Sequence, residues 1–264
     1  ADLNASVTML QPVIDDSLVL WLDGRYGINN PATTIWKDLS GKGNDGQLKN
    51  FTFAEGSGWT GKSLHFDGVD DITQWSQSDT LYGITKDFTI DFTYRPININ
   101  LNTNPNIISF SDGSNLEPIR LEFVDYSQQN KYHKTLVVIV TDNNNERYFF
   151  RFSYLFFSGN IYKISVVSND NELKLYIDGN LVTSLLTTEF ITFKNCTTKL
   201  FIGGRKPKVN LINGVFYDFK IYSRALTDDE IAQNYNATQE WLTQTGTRTV
   251  NVPLKAGKNP VALM

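Results

Sequence analysis

Few side chains in this chain of 264 residues could act as a catalytic base or nucleophile. The histidines are His65, which alternates with apolar neighbours, and His133, in the run KYHK. Neither has a recognisable triad partner beside it, and Cys196 has no base nearby in sequence. The sequence also lacks a phosphate-binding loop, a dinucleotide fingerprint and zinc-ligand spacing. These absences predict a protein that is not an enzyme.

Aromatic side chains next to amides and carboxylates are better candidates for a functional site. Trp59, Trp75, Tyr82 and Tyr126 lie in loop-like stretches beside Asn, Gln and Asp residues. Sugar sites combine aromatic faces with planar polar groups, so these four residues predict a carbohydrate-binding surface. The alternative is that the rings cover the edges of a sheet.

The stretch from Gly214 to Asn236 is the element most able to position such loops. Its first part alternates, which predicts a β-strand with two faces. One face carries Val215, Tyr217, Phe219 and Ile221, and the other carries Phe216, Asp218, Lys220 and Tyr222.

A short helix is predicted directly after this strand, from Asp228 to about Tyr235. Thr227 and Glu230 have the spacing of a capping box, in which each side chain binds the other residue's backbone N–H. Leu226 and Ile231 occupy the positions of a hydrophobic staple. A strand joined to one capped helix is typical of the end of a β-sandwich.

Most of the remaining chain reads as short strands separated by turns. Residues 88–94 alternate cleanly, with Phe88, Ile90 and Phe92 on one face. The apolar run Leu136–Val140 suits a central strand buried on both faces. Regular turn signals between such runs predict an all-β sandwich.

Composition narrows the class of protein further. The chain is 41% hydrophobic with a net charge of −4, which disfavours a nucleic-acid binder. No apolar run is long enough to span a membrane, so no membrane insertion is expected. One cysteine allows no internal disulfide. The first ten residues lack the features of a signal peptide; a removed signal, another route of export and a clipped initial Met all stay open.

Three segments resemble markers of the LamG-like, concanavalin A-like jelly-roll family. These are the opening, LVLWLD with WKDLSGKGNDG, then LHFDGVDD, and finally the closing GVFYDFKIYSRALTDDEI. The resemblance implies an all-β fold: an antiparallel two-sheet jelly-roll sandwich with one short C-terminal helix. It implies a domain at residues 17–236. Outside the match, the residues themselves predict an N-terminal arm at 1–16 and a C-terminal strand or hairpin extension at 237–264.

The resemblance also bears on metals and catalysis. Related jelly rolls carry a structural calcium ion between the opening loop and the closing strand, where Asp38 and Asp218 would be its ligands here. A second acidic cluster comprises Asp67, Asp70 and Asp71; turn caps and solvated charges are the alternative. Glycoside hydrolases of this architecture resemble E-x-D-x-E on one strand, but here Asp91 is flanked by Thr89 and Thr93. No cofactor is required.

Taken together, the sequence predicts a non-catalytic jelly-roll module. We expect a structural, decoration or fibre component of a phage virion or similar extracellular assembly that also binds host-surface carbohydrate. The arm and the tail would contact other chains, a cell-surface glycan would be the ligand, and the location would be the virion or the extracellular space. The alternative is a secreted bacterial carbohydrate-binding module, and a glycoside hydrolase is the third hypothesis.

Overall fold

The computed structural model describes residues 10–75, 81, 84, 86–99, 104–111, 117–127, 130–170, 172–186 and 199–243, without the side chains of 126, 127 and 130–133. Alternating apolar residues give these parts of the chain a succession of strands. In chain order the elements are β1 (Leu18–Asp23), a 3-10 helix (Gly24–Ile28), β2 (Ile35–Trp36), β3 (Gly46–Lys49), β4 (Gly58–Trp59), β5 (Leu64–Asp67), β6 (Ile72–Gln74), β7 (Phe88–Pro96), β8 (Asn106–Ser111), β9 (Ile119–Ser127), β10 (Asn130–Thr141), β11 (Arg147–Arg151), β12 (Tyr162–Asn169), β13 (Glu172–Ile177), β14 (Asn180–Leu186), β15 (Lys199–Ile202), β16 (Asn213–Tyr222) and α1 (Asp228–Thr243).

The strands form two antiparallel sheets. The first has the order β14-β13-β12-β7-β16-β5-β4, and β1 also pairs with β16. The second has the order β11-β10-β9-β8-β15-β6-β3-β2. The predicted all-β sandwich of two antiparallel sheets is therefore confirmed.

The main core lies between the sheets and is rich in aromatic rings. Phe92 and Phe219 stack within the first sheet with centroids 5.5 Å apart. Tyr94 of the first sheet meets Phe123 of the second at 6.1 Å. The run Leu136–Val140 is buried on both faces, as predicted, because alternate residues point into this core and into a smaller apolar cluster outside the second sheet.

A β-bulge corrects the predicted faces of the closing strand β16. The register with β7 shifts between Phe216, which pairs with Tyr94, and Asp218, which pairs with Thr93. The extra residue, Tyr217, is half-buried, and Phe216 enters the core alongside Phe219. The prediction that Phe216 lies opposite Phe219 was wrong because a bulge reverses the alternation of side chains.

Helix α1 begins as predicted and ends later. The Thr227 N–H donates to Glu230 Oε2 at 2.9 Å, and the Glu230 N–H donates to Thr227 Oγ1 at 3.3 Å, so the capping box is present. The staple residues Leu226 and Ile231 are buried in one cluster. The helix continues to Thr243, so residues 237–243 belong to it rather than to a separate extension. The remainder of the predicted strand or hairpin extension, residues 244–264, lies outside the described residues.

The described part of the N-terminal arm packs on this same chain. Val13 is buried; its N–H donates to Asn234 Oδ1 at 2.8 Å, and its carbonyl accepts from the Tyr222 hydroxyl at 3.0 Å. Gln233 binds the carbonyl of Gln11. These contacts hold the described part of the arm against this same chain. Its predicted role in contacting other chains stays a prediction, and residues 1–9 lie outside the described part. Among the described helices, none has the length and apolar character needed to cross a membrane.

Candidate functional site

Two of the four aromatic residues predicted to bind sugar are packing residues. The Trp75 side chain is 2% exposed, and its indole N–H donates to the Asn44 carbonyl at 2.8 Å. Trp59 is half-buried, edge-on to Trp36 with centroids 5.9 Å apart, and donates to the Thr33 carbonyl at 3.0 Å. Rings held in this way cover the core. Tyr82 and the side chain of Tyr126 lie outside the described residues.

Asp38 organises the opening loop. Its Oδ1 accepts hydrogen bonds from the N–H groups of Trp21 at 3.0 Å and Ser40 at 2.9 Å. Its Oδ2 accepts from the Ser40 hydroxyl and from the Asn44 N–H, both at 2.8 Å. Four donors around one carboxylate fix the glycine-rich loop against β1.

Asp218 lies in a buried polar cluster between the first sheet and α1. The Lys163 ammonium is 3.0 Å from Asp218 Oδ2 and 2.9 Å from Asp91 Oδ2, and Lys220 also contacts Asp218. Thr238 of the helix donates to the same Oδ2 at 3.1 Å. Burial acts to raise the pKa of Asp218, but the two ammonium groups outweigh it and hold the pKa well below its usual range.

These environments do not fit the calcium ligands that the family resemblance implied. Calcium needs several oxygens converging on one point. Asp38 is occupied by four N–H and O–H donors, whereas lysine ammonium groups supply the positive charge beside Asp218. Among the described residues, no group binds both carboxylates, and each has its own separate set of partners.

The second acidic cluster builds a turn after β5. Asp67 Oδ1 accepts from the Val69 N–H at 2.7 Å, while Asp71 accepts from the Asp67 N–H and the Ser57 hydroxyl, each at 3.0 Å. Oxygens of Asp67, Asp70 and Asp71 lie within 4.8 Å of one another. Burial raises the pKa of Asp71 to about 6, against the effect of its two hydrogen bonds. This geometry is that of capped turn residues.

The residues considered for catalysis are dispersed. His65 is half-buried on β5, where burial first and the nearby Arg95 second lower its pKa. Asp91 is fully buried in the lysine cluster and cannot meet a substrate there. The side chain of His133, and Cys196 altogether, lie outside the described residues.

A groove with a volume of about 420 Å³ crosses the outer face of the second sheet, where β9, β10 and β11 lie side by side. Its lining is part apolar, part amide and part charged. The residues are Asn104, Glu122, Val124, Asp125, Val137, Phe149 and Arg151.

The floor of this groove is apolar and rigidly held. Val124 and Val137 line it, and with Ile139 they form a cluster that is separate from the main core. Their exposed fractions are 7%, 2% and 1%. Neighbouring strands of a sheet hold such side chains in place, so the floor is apolar and fixed, while the exposed apolar surface of the lining comes from Phe149.

The rim is formed by the edge strand β11. Arg147, Phe149 and Arg151 are exposed, whereas Phe150 between them packs into the core. The side chain of Phe149 is 59% exposed, and the Arg147 guanidinium carbon lies 5.5 Å from the centroid of its ring. An aromatic face therefore stands at the groove between two cationic side chains.

The carboxylates of the groove have cationic partners. Glu122 Oε2 lies 3.2 Å from Arg120 Nε, and Asp125 Oδ1 lies 2.7 Å from Lys134 Nζ. Burial raises the pKa of Glu122, and the charge of Arg120 opposes that shift. Behind them, Glu117 bridges Arg120 and Arg205. This network fixes Glu122 as a positioned hydrogen-bond acceptor.

The groove was missed by sequence reasoning, although one signal for it was present. The run RYFFR places Arg147, Phe149 and Arg151 on one face of a strand. Such alternation is typical of a strand, but nothing in the run itself shows that its exposed face borders a groove. Which residues lie opposite it depends on the pairing of β9 with β10 and of β10 with β11, which no local pattern specifies.

Comparison with known proteins gives the family and the fold. The family model for the concanavalin A-like lectin/glucanases superfamily matches residues 67–232. No curated protein sequence matches the chain.

Solved structures with this fold include binding domains of botulinum neurotoxins. The serotype D binding domain superposes with a TM-score of 0.61 at 18% identity, over 84% of this chain and 52% of that one. The DC binding domain in complex with SialylT superposes with a TM-score of 0.55 at 19% identity, over 86% of this chain and 53% of that one. The DC binding domain in complex with rat synaptotagmin II superposes with a TM-score of 0.56 at 19% identity, over 86% of this chain and 53% of that one. The chain thus spans about half the length of these domains, and the likeness concerns the fold.

The family match over more than half of the chain agrees with the two-sheet sandwich, the aromatic core and the capped closing helix. The protein belongs to the concanavalin A-like lectin/glucanases superfamily.

Proposed function

We propose that this protein is a non-catalytic recognition module that binds a carbohydrate in the groove of the second sheet. The observation that carries the proposal is the exposed ring of Phe149 beside Asn104, Glu122 and Arg151, above an apolar floor. A pyranose ring has apolar C–H faces and a belt of hydroxyls, so it needs an aromatic or aliphatic surface and planar polar partners together.

The partners of the groove carboxylates support binding rather than hydrolysis. Retaining and inverting glycosidases need one carboxyl group as an acid and a second as nucleophile or base. Glu122 is paired with Arg120, and Asp125 is paired with Lys134. Each acid therefore has a charge-compensating role in the fold, and we expect no turnover of the bound glycan.

The solved structures with the same fold support only the general class of this proposal. Their titles describe binding domains, one in complex with SialylT and one with rat synaptotagmin II. Since this chain spans about half of each, their ligands give no direct guide to the ligand of this groove.

The test is a glycan array followed by titration calorimetry of the best ligand with the full chain. Phe149→Ala should weaken binding about ten-fold or more, since a stacked aromatic contributes about 1 kcal/mol beyond its buried area. Ile28→Ala, which trims an exposed apolar side chain outside the groove lining, is the matched control and should bind normally. Failure of every glycan to bind, binding unaffected by Phe149→Ala, or measurable release of sugar would each refute this function.

Assembly into an extracellular particle, such as a phage virion, is a second candidate, favoured by the edge strand β14. Its sequence NLVTSLL has no charged residue, and Leu181, Val182 and Leu186 are 49%, 38% and 77% exposed. Natural edge strands carry charges that block pairing with another chain. Size-exclusion chromatography with light scattering should reveal oligomers that Val182→Lys dissociates. A monomer at all concentrations, with the carbohydrate bound, would leave only the first function.

A further inference from the structure

The rim of the groove has a charge that differs from that of the chain as a whole. The chain carries a net charge of −4, yet β11 presents Arg147 and Arg151 on either side of Phe149. Residues two apart on one strand face are about 7 Å apart, which places each guanidinium within reach of a sugar stacked on the ring.

Arg151 in the groove lining and Arg147 beside it on the rim carry charges that no described carboxylate compensates. The two carboxylates in the lining are matched by Arg120 and Lys134. Among the residues that the structure describes, neither Arg147 nor Arg151 forms an ion pair with a carboxylate. The local field at the rim is therefore positive.

Arg151 is anchored in a way that leaves donors available. Its Nη1 donates to the backbone carbonyl of Asp125 at 3.3 Å, and a guanidinium has five N–H donors. A planar fork of N–H groups matches the two oxygens of a carboxylate or sulfate. The guanidinium of Arg147 makes a cation–π contact with the Phe149 ring.

We propose that the groove selects an anionic sugar, with the pyranose ring against Phe149 and its carboxylate or sulfate on Arg151. Arg147 strengthens the field without being the principal contact. This inference rests on the proposed function and specifies its ligand class.

The experiment compares matched oligosaccharides by titration calorimetry with the full chain. The probes are an oligogalacturonate, its fully methyl-esterified form and a sulfated galactan oligosaccharide of similar length. We expect the esterified form to bind about ten-fold or more weakly than the free acid, because it keeps the ring and loses the charge. The sulfated probe distinguishes a preference for sulfate from one for carboxylate. Affinity for either anion should fall with added salt.

Substitutions of Arg151 test whether this residue binds the anionic group of the sugar. Arg151→Gln should weaken binding of the acid about ten-fold or more while leaving that of the ester unchanged. Arg151→Lys should give an intermediate loss, since a point charge replaces a planar fork. Lys49→Gln removes one positive charge from an exposed position on β3, six strand spacings or about 29 Å away in sheet order, and should have no effect.

The outcomes separate the two proposals. Equal binding of the acid and the ester, sensitive to Phe149→Ala, would overturn the anionic inference and leave the carbohydrate function intact. An equal effect of Arg151→Gln and Lys49→Gln would also overturn it, since the effect would then come from overall charge. Absence of binding by all three probes, together with an empty glycan array, would overturn both proposals.

Discussion

The ammonium of Lys163 lies 3.0 Å from Asp218 Oδ2, and both side chains are buried between the first sheet and helix α1. Asp91 and Lys220 complete the group, so two acids balance two bases. The closing strand is thereby joined to β7 and β12 by charge, and to the helix by the hydrogen bond from Thr238, as well as by apolar packing.

Removing one member of this group should strongly destabilise the fold. We expect Lys163→Met to lower the free energy of unfolding by about 3–5 kcal/mol, because it leaves a buried carboxylate without its partner. Lys174→Met, on the partly exposed β13 pair with Glu172, should cost under about 1 kcal/mol. Urea unfolding followed by fluorescence measures both, and similar costs for the two variants would contradict this account.

The capping box should make a measurable contribution. Thr227→Ala removes the acceptor for the Glu230 N–H and should cost about 1 kcal/mol, or roughly 2–4 °C in Tm for a domain of this size. Thr243→Ala, at the last residue of α1, provides a control that should change Tm by less than half as much. Differential scanning calorimetry measures the Tm of both variants. An unchanged Tm for Thr227→Ala would show that tertiary packing alone holds the helix.

Asp71 should make stability fall with rising pH. Its folded-state pKa of about 6 lies above the unfolded value of 3.8, so the folded protein binds this proton more tightly. The stabilisation is complete below about pH 4 and is lost as the pH rises through about 6. Asp71→Asn can keep the bond from Asp67 and donate to Ser57, so relative to wild type it should gain stability from about pH 4 to about 7. Parallel pH profiles of the two proteins would argue against a raised pKa.

Trp75 should matter for stability and not for sugar affinity. Trp75→Ala opens a cavity in the core and should cost about 3–5 kcal/mol. The folded fraction should still bind the oligosaccharide with wild-type affinity, because the ring does not line the groove. Calorimetry at low temperature, corrected for folded fraction, tests this; a selective loss of affinity would restore Trp75 as a ligand contact.

Calcium should leave the melting temperature unchanged. A cation that binds only the native state raises Tm, and the rise grows with the logarithm of its concentration above Kd. Because the lysines neutralise Asp218 and backbone donors occupy Asp38, we expect Tm to differ by less than about 1 °C between excess calcium and chelator. A larger rise with calcium would return these residues, or the Asp67 turn, to consideration as ligands.

Sequence reasoning worked best where the deciding interactions are local. The capping box of α1 needs only Thr227 and Glu230, and the two-sided burial of Leu136–Val140 follows from an uninterrupted apolar run. Both could be predicted because residues within a few positions determine them.

Sequence reasoning failed where contacts between segments far apart in the chain determine the structure. The bulge at Tyr217 depends on how β16 registers with β7, and the burial of Trp75 depends on Asn44 and the core behind it. The loop setting of Trp75 resembled that of a ligand contact, although its indole faces inward. The groove was missed for the same reason, since three strands meet there only after pairing.

The contact between the Leu10 N–H and the Glu240 carboxylate has a practical consequence. The first and last portions of the described sandwich meet beside α1, on the side of the molecule away from the groove. An affinity tag, a fluorophore or a surface linkage placed at that junction would hold the protein with its candidate recognition face directed outward. Biosensor measurements prepared this way would leave the ligand free access to Phe149.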